Sequence, residues 1–451
     1  MLFTIKNLKD LFPNYQGNLD ENKEIQYVNT DSRIEQPNSL FIPIIGENFD
    51  GHQFAKEAIA GGAIALLWDK AKNIPKDISE NVAIFIVEDT TDALQYLSSW
   101  YREFVDPIVI GITGSNGKTT TKDLVASVVK EKYKTHYTMG NLNNHIGLPL
   151  TILSMERNTE ALVLEMGMIA FGEIDLLTRI AKPDFAIITN IGESHIEFLG
   201  SKQGIAKAKL EIKNGLKSSG KLIIDGDEPL LEGEKENSNT ITCGFNKDND
   251  VVNDKIEITN KETLFTTNNE NYRIPLLGKH HAKNATFATE IARLLDVAYS
   301  QRKHALLNVQ HTSMRFEMVT GQGGVSIIND TYNASPTSMK AAIQVVKEMQ
   351  GFKEKVLILG DVLELGEHSE KLHRGIAEVI EPPITVVFTY GDEAKYISDE
   401  MKEKNIKTKH FVNREDLVEA LKTYLNDDSL LLFKASRGLQ FELFIKEIMN
   451  D

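Results

Sequence analysis

A run of six apolar-rich residues, "PIVIGI", leads directly into "TGSNGKTTTK", and this junction restricts the chain more than any other stretch. An apolar strand that breaks into a glycine loop and restarts as a helix belongs to an open α/β sheet. After Lys118, residues Leu124, Val125, Val128 and Val129 fall on one helical face, as the restart requires. Such a loop points backbone N–H groups and the positive end of a helix at phosphate oxygens, sets Lys118 beside them and offers the Thr119 hydroxyl to Mg²⁺. The standard phosphate-loop spacing is not met, because Ile112 stands where that pattern has its first glycine and the nearest glycines are Gly111 and Gly114. A plain glycine-rich turn before a helix is therefore the competing reading.

The rhythm continues on both sides of the loop. Apolar strands at "ALVLEM", "FAIITN" and "KLIID" alternate with helix-period segments, predicting a mostly parallel sheet. Upstream, "LFIPII", "AIALLW" and "VAIFIV" surround the helical "HQFAKEAIAGGA", which reads as a small α/β domain over residues 1–103. A central nucleotide-binding domain is expected over 104–318. Within it residues 232–277 turn polar and predict exposed antiparallel strands and turns. From "VSIIND" through "KVLILGD", "ITVVFTYGD" and "SLLLFKASRG" the strand pattern restarts, giving a third α/β domain over 319–451.

Composition narrows the function classes. A formal net charge of −15 argues against a nucleic-acid binder, which needs a basic face, and directs expectation to small anionic ligands held by local devices. Cys243 is the single cysteine, so neither an intrachain disulfide nor a thiolate metal cage is expected. No apolar run approaches the roughly 18 residues that span a bilayer, and charges interrupt "MLFTIKNLKDLF". The expected location is the cytoplasm. Strand ends, where open sheets hold ligands, carry Glu165, Asp330 and, a few residues on, His195. Each has an ordinary alternative: a carboxylate there can cap a helix or pair with a cation, and a lone histidine can be structural.

Taken together, these blocks resemble the Mur ligase family, the ATP-dependent amide-bond formers of bacterial cell-wall precursor synthesis. "TGSNGKT", Thr113 to Thr119, fits the family's own phosphate loop at every position, which accounts for the spacing. "NTDSR" with "GENFDGHQFAKEAIAGGAIALL" resembles an N-terminal domain that holds a UDP-sugar, and "GNLNNHIGLPLTIL" the segment beyond the phosphate site. "NDTYNASPTSMKAAI" and "LGDVLELGEHSEKLH" resemble a Rossmann-like C-terminal domain. Within the family the likeness is to the branch that adds D-alanyl-D-alanine. The Asp-Asn-Pro-Arg loop of members that add a diamino acid is absent from the sequence, and folylpolyglutamate synthases lack a UDP-sugar domain. Two positions depart from the pattern: Asn38 and Ala435 stand where members commonly have glycine. Asparagine tolerates a turn, whereas a left-handed backbone would strain alanine.

The resemblance implies that ATP phosphorylates the terminal carboxylate of UDP-N-acetylmuramoyl-tripeptide, and that D-alanyl-D-alanine displaces the phosphate, giving UDP-N-acetylmuramoyl-pentapeptide, ADP and phosphate. It assigns Thr113, Gly114, Ser115, Asn116, Gly117, Lys118 and Thr119 to the phosphates, with Thr119 on Mg²⁺. Glu165 and His195 would hold a second Mg²⁺, completed by a carboxylated lysine in "GIAKAKLEI"; Lys209 is the match, and Lys207 the alternative. Without the resemblance, lysines on a helix read as a solvated face. Asn284 would meet the adenine, Asp330 the ribose and Arg315 the γ-phosphate. Asp31, Ser32 and Arg33 would hold the UDP-sugar, Asn143 and Asn144 would lie near sugar or peptide, and Asn333, Ser335 and Arg437 would contact the dipeptide or close over the site. A monomer acting on small molecules is implied. The readings set against it are a sibling ligase that adds one amino acid and a nucleotide-dependent switch that ligates nothing.

Overall fold

The computed structural model describes every residue except 18, 19, 77, 79–81, 311 and 451. Three α/β units follow one another, each built on its own sheet. The first sheet runs, edge to edge, Tyr15–Gln16, Ala83–Val87, Ala63–Asp69, Ser39–Phe41 and Tyr27–Asn29, parallel except at Tyr15–Gln16. The helix Thr90–Val105 then leads to the second unit, with Asp89 accepting from the N–H groups of Thr91 and Asp92 at its start. Its buried face, Leu94, Leu97 and Tyr101, packs at the joint between units. Tyr101 Oη donates to the Met155 carbonyl at 2.9 Å and Arg102 Nε to that of Ile180 at 3.2 Å, so this helix is fastened to the second unit.

The second sheet has nine strands, in the order Thr135–Tyr137, Ala161–Glu165, Ile108–Thr113, Phe185–Ile188, Lys221–Asp225, Thr240–Gly244, Val251–Ile258, Thr263–Thr267, Glu270–Ile274. Successive strands pair in parallel from Thr135–Tyr137 to Val251–Ile258, and only the last two are antiparallel. In the polar tract 232–277 the expected antiparallel pairing is present from Val251–Ile258 to Glu270–Ile274, but two parts of the expectation are corrected, the exposure and the first strand. Thr240–Gly244 is a parallel strand, and Cys243, Phe265, Tyr272 and Ile274 are buried with the helix Lys279–Leu294 in one core. Alternation explains the misreading, since in Glu270–Ile274 Asn271 and Arg273 are exposed while Tyr272 and Ile274, on the other face, are buried. The strand Ile108–Thr113 lies between Ala161–Glu165 and Phe185–Ile188, so the chain changes side around it. Crevices at such reversals are where open α/β sheets place ligands.

The third sheet, in the order Glu317–Thr320, Ser326–Asn329, Ser429–Lys434, Glu354–Gly360, Val386–Tyr390, Lys407–Phe411, is parallel apart from its first strand. The expected division after residue 318 falls within that first strand. Asn38 does take a left-handed backbone, with φ 59°. Ala435 does not, so the strain considered for it is absent; its methyl group is buried against the face of Gly360. Among the described residues no helix is long and apolar enough to cross a membrane.

Candidate active site

The loop after Ile108–Thr113 is shaped by two glycines that no other residue could replace without movement. A Cβ on Gly114 would stand 1.8 Å from Thr189 Oγ1, and Gly117, at φ 78°, would meet Asn284 Oδ1 at 2.9 Å. Gly117 precedes the helix Lys118–Val129, whose first N–H groups lack intrahelical acceptors and carry the positive end of the dipole. Not every N–H of the loop is available to a ligand. Those of Ser115 and Asn116 donate to Asn190, to its carbonyl at 3.0 Å and its Oδ1 at 2.9 Å. The expected cradle over Gly114–Thr119 therefore narrows to the helix start at Gly117–Thr119, and Thr113 is committed too, donating its hydroxyl to the Met166 carbonyl at 3.0 Å. Lys118 Nζ folds over the loop, donating to the carbonyls of Gly114 at 2.8 Å and Ser115 at 3.3 Å. Burial lowers the Lys118 pKa, opposed by the Glu165 carboxylate and reinforced by the Arg315 guanidinium.

Around this loop opens a cavity of about 530 Å³, lined from the second and third units. It brings together Lys118, Thr119, Glu165, His195, Asn284, Arg315, Asp330, Asn143, Asn144 and Asn333 of the expected set. Glu165 is buried at the end of its strand; Oε1 accepts from Asn143 Nδ2 at 2.8 Å, while Oε2 has no hydrogen-bond partner. Arg315 Nη2 donates to Thr119 Oγ1 at 3.0 Å, and its guanidinium lies 4.1 Å from the ring centre of Tyr332. Met314 and Phe316, on either side of it, both have left-handed backbones, a strained link that holds the arginine into the cavity. His195 is left-handed as well, and its Nδ1 stands 2.6 Å from Glu364 Oε2 of the third unit, which holds the Glu364 carboxyl below its usual range. Asp330 pairs with the buried Lys434 at 2.6 Å. Asn144 lines the cavity, but its Oδ1 caps the following helix through the Ile146 and Gly147 N–H groups.

Lys209 is buried to 1% exposure, and burial together with the nearby Lys118 charge drives its pKa well below normal. Lys207, two residues away, is exposed, its ammonium 5.8 Å from the Phe171 ring centre. Helical spacing puts the two on different faces. A pair of residues from the third unit reaches the loop without lining the cavity or stays outside it. Ser335 is buried, donating to Asn116 Oδ1 at 2.9 Å as it caps the helix Pro336–Glu348. Arg437 pairs with Glu442 at 2.8 Å and is half exposed. Asp31, Ser32 and Arg33 lie outside the cavity: Asp31 pairs with Arg33 at 2.6 Å and Ser32 donates to Glu57 at 3.1 Å. Asn190, Glu193, Glu364 and Lys434 were missed by sequence reasoning. "NIGESH" sets Asn190 and Glu193 close to His195, and "LGDVLELGEH", which holds Glu364, is one of the blocks that carry the resemblance, which is the signal available.

Could the site take the expected metal? An unpartnered, buried carboxylate oxygen at Glu165 and the Thr119 hydroxyl offer oxygen ligands, as Mg²⁺ prefers. Among the described residues no group of three or more His, Cys, Asp or Glu side chains gathers to hold a metal. Mg²⁺ commonly uses one or two protein carboxylates and completes its shell with water and phosphate, so the donor set fits that use.

Three family models match the chain: the Mur ligase family, catalytic domain over residues 24–102, the Mur ligase middle domain over 112–292, and the Mur ligase, glutamate ligase domain over 314–437. The UDP-N-acetylmuramoyl-tripeptide–D-alanyl-D-alanine ligase of Bacillus subtilis is 46% identical over 455 residues, covering 99% of this chain and 98% of that protein. Its Escherichia coli counterpart is 32% identical over 437 residues, covering 94% of each. A MurF crystal structure from Acinetobacter baumannii superposes with TM-score 0.88 at 29% identity, covering 100% of this chain and 99% of that one. MurF from Thermotoga maritima in complex with ADP superposes with TM-score 0.83 at 29% identity, covering 94% and 97%.

Proposed function

The chain belongs to the Mur ligase family and uses ATP to add D-alanyl-D-alanine to UDP-N-acetylmuramoyl-tripeptide in peptidoglycan synthesis, and we propose that the cavity around Lys118 is where it does so. One observation carries the proposal: Lys118, Glu165, His195 and Arg315, distant in sequence, line the same cavity.

Amide formation in water needs an activated acid, because a carboxylate oxygen leaves poorly. A tripeptide carboxylate oxygen attacks the γ-phosphorus, the bond to ADP breaks, and the dipeptide amine then displaces phosphate from the acyl carbon, losing its proton as the amide forms. Positioning and charge neutralisation are the tasks left to the protein. The N-terminus of Lys118–Val129 and the Lys118 ammonium hold the β and γ phosphates, and Arg315 neutralises charge on the transferred group. Asn284 contacts the adenine and Asp330 the ribose. Glu165, held by Asn143, would bind Mg²⁺ with His195, and Thr119 another; the metal would supply charge neutralisation at the phosphoryl group.

Lys209 is the lysine suited to carboxylation by CO₂. Its amine, disfavoured as a cation by burial and by Lys118, is the neutral nucleophile that this addition needs. The product carbamate would offer oxygen to a hard metal and attract Lys118, replacing like-charge repulsion. Asp31, Ser32 and Arg33 hold the UDP-sugar on the first unit, Asn144 lies toward the sugar or peptide, and Asn333 and Arg437 toward the dipeptide. Ser335 closes over the phosphate loop. The docked third unit shields the acyl phosphate from water. The same reading has the enzyme at work in the cytoplasm as a monomer.

The test is mass spectrometry of the product from UDP-tripeptide, ATP and D-alanyl-D-alanine. The pentapeptide is expected. Equal ligation of a free amino acid would point to a sibling ligase, and phosphate release indifferent to the dipeptide would point to a switch.

A further inference from the structure

The loop from Asn190 to His195 touches both the phosphate loop and the third unit. Asn190 pins the phosphate loop, and a Cβ on Gly192 would meet Asn116 Nδ2 at 2.9 Å, so the two loops are in contact. His195 reaches Glu364. Between them lies Glu193, a buried carboxylate. Its two oxygens accept from the Thr337 hydroxyl at 2.9 and 2.7 Å, and one also accepts from the Thr337 N–H at 3.2 Å. Thr337 is in the first turn of the thirteen-residue helix Pro336–Glu348, so the carboxylate meets the positive end of that helix. On its other side, Lys202 Nζ stands 2.6 Å from Glu193 Oε1. Lys202 opens the helix Lys202–Leu210, the same helix that carries Lys209.

Burying an acid has a desolvation cost that partners must offset. Here Lys202, from the second unit, offsets part of that cost, and the rest is offset only when the third unit is docked, because the Thr337 hydroxyl and N–H come from it. Resting on the ligase reading above, we infer that Glu193 is a positioning residue for the ligation. It fastens the third domain closed and ties that closure to the helix bearing Lys209. Substrate phosphates and the dipeptide need not touch it.

The experiment compares Glu193→Ala, Thr337→Val and the double variant of the full-length chain, following pentapeptide and phosphate separately. Wild-type enzyme is assayed first with UDP-tripeptide, ATP and D-alanyl-D-alanine. Failure of wild type to make pentapeptide would refute the ligase reading, not the latch. Each single variant should lower kcat about tenfold, keep KM for ATP within about twofold, and release more phosphate than pentapeptide as water reaches the acyl phosphate. The double variant should lose no more than Glu193→Ala alone, because the hydroxyl contact that Thr337→Val removes is already gone in Glu193→Ala. Thr337→Val leaves Glu193 and Lys202 in place, so it reports on the latch even if Glu193→Ala disturbs folding. Losses that multiply in the double variant, or phosphate that stays matched to pentapeptide in both single variants, would overturn the inference.

Discussion

The loop Asp31–Arg33 and the loop Gly114–Thr119 are both short, polar and assigned to ligands, yet they stand in opposite surroundings. At Asp31–Arg33 the charges satisfy one another: Arg33 pulls the Asp31 carboxyl down to about 2, and the arginine side chain is 85% exposed. At Gly114–Thr119 the neighbours are Lys118, Lys209, Arg315 and Glu165, drawn from separate elements and partly or wholly removed from water. A shifted pKa in the first loop says little about stability, because solvent screens an exposed pair. In the second, low dielectric magnifies each charge, and a ligand inherits that magnification.

Variants can break this contrast. The largest effect is expected from Lys118→Ala, which should cut kcat by roughly 1,000-fold in a steady-state phosphate-release assay; a loss under about tenfold would mean that the loop does not carry the transition-state charge.

A titration comes next. His280, part-buried beside the cavity, is pushed down to about 4, mainly by burial, with Asp330 opposing and Lys434 assisting. Its folded pKa lies below its unfolded value, so the neutral ring favours the fold above about 6.5 and that stability drains away as pH falls toward about 4. The wild-type loss across that window should exceed that of His280→Asn by at most about 3 kcal/mol in urea unfolding.

Smaller again is the lysine pair: Lys209→Ala should lower activity about 10- to 100-fold and abolish a carbamate carbonyl signal in ¹³C-bicarbonate NMR, while Lys207→Ala leaves both intact. The reverse pattern would move the carboxylation site. The smallest effect should be Arg33→Ala, raising KM for UDP-tripeptide about tenfold with kcat and thermal midpoint unchanged. An unaltered KM would detach the first loop from the UDP-sugar.

Legibility followed the range of the interaction. The strands "IVIGI", "ALVLE", "FAII" and "KLIID", and later "VLILG" and "SLLLFK", are where apolar runs put them, because burial on both faces of a parallel sheet demands continuous hydrophobics. The tract 232–277 misled because one-sided burial needs only alternate apolar residues, and its Thr and Asn fill the rest. Among site residues, Lys118 and Glu165 were found by loop and strand-end logic and Arg315 through the family resemblance, while Glu193 and Lys434 have no pattern of their own. Each becomes notable only beside a partner 144 or 104 positions away.

By itself, then, the chain's order of residues determined three α/β units and a phosphate-holding turn, since periodicity and glycine placement act over a few neighbouring residues, and the type of chemistry followed from the family its motifs resemble. Which lysine is stripped of water, which loop N–H groups remain free and which acid joins the units were decided by tertiary packing alone. Desolvation and charge pairing depend on distances through space, and sequence separation does not encode them.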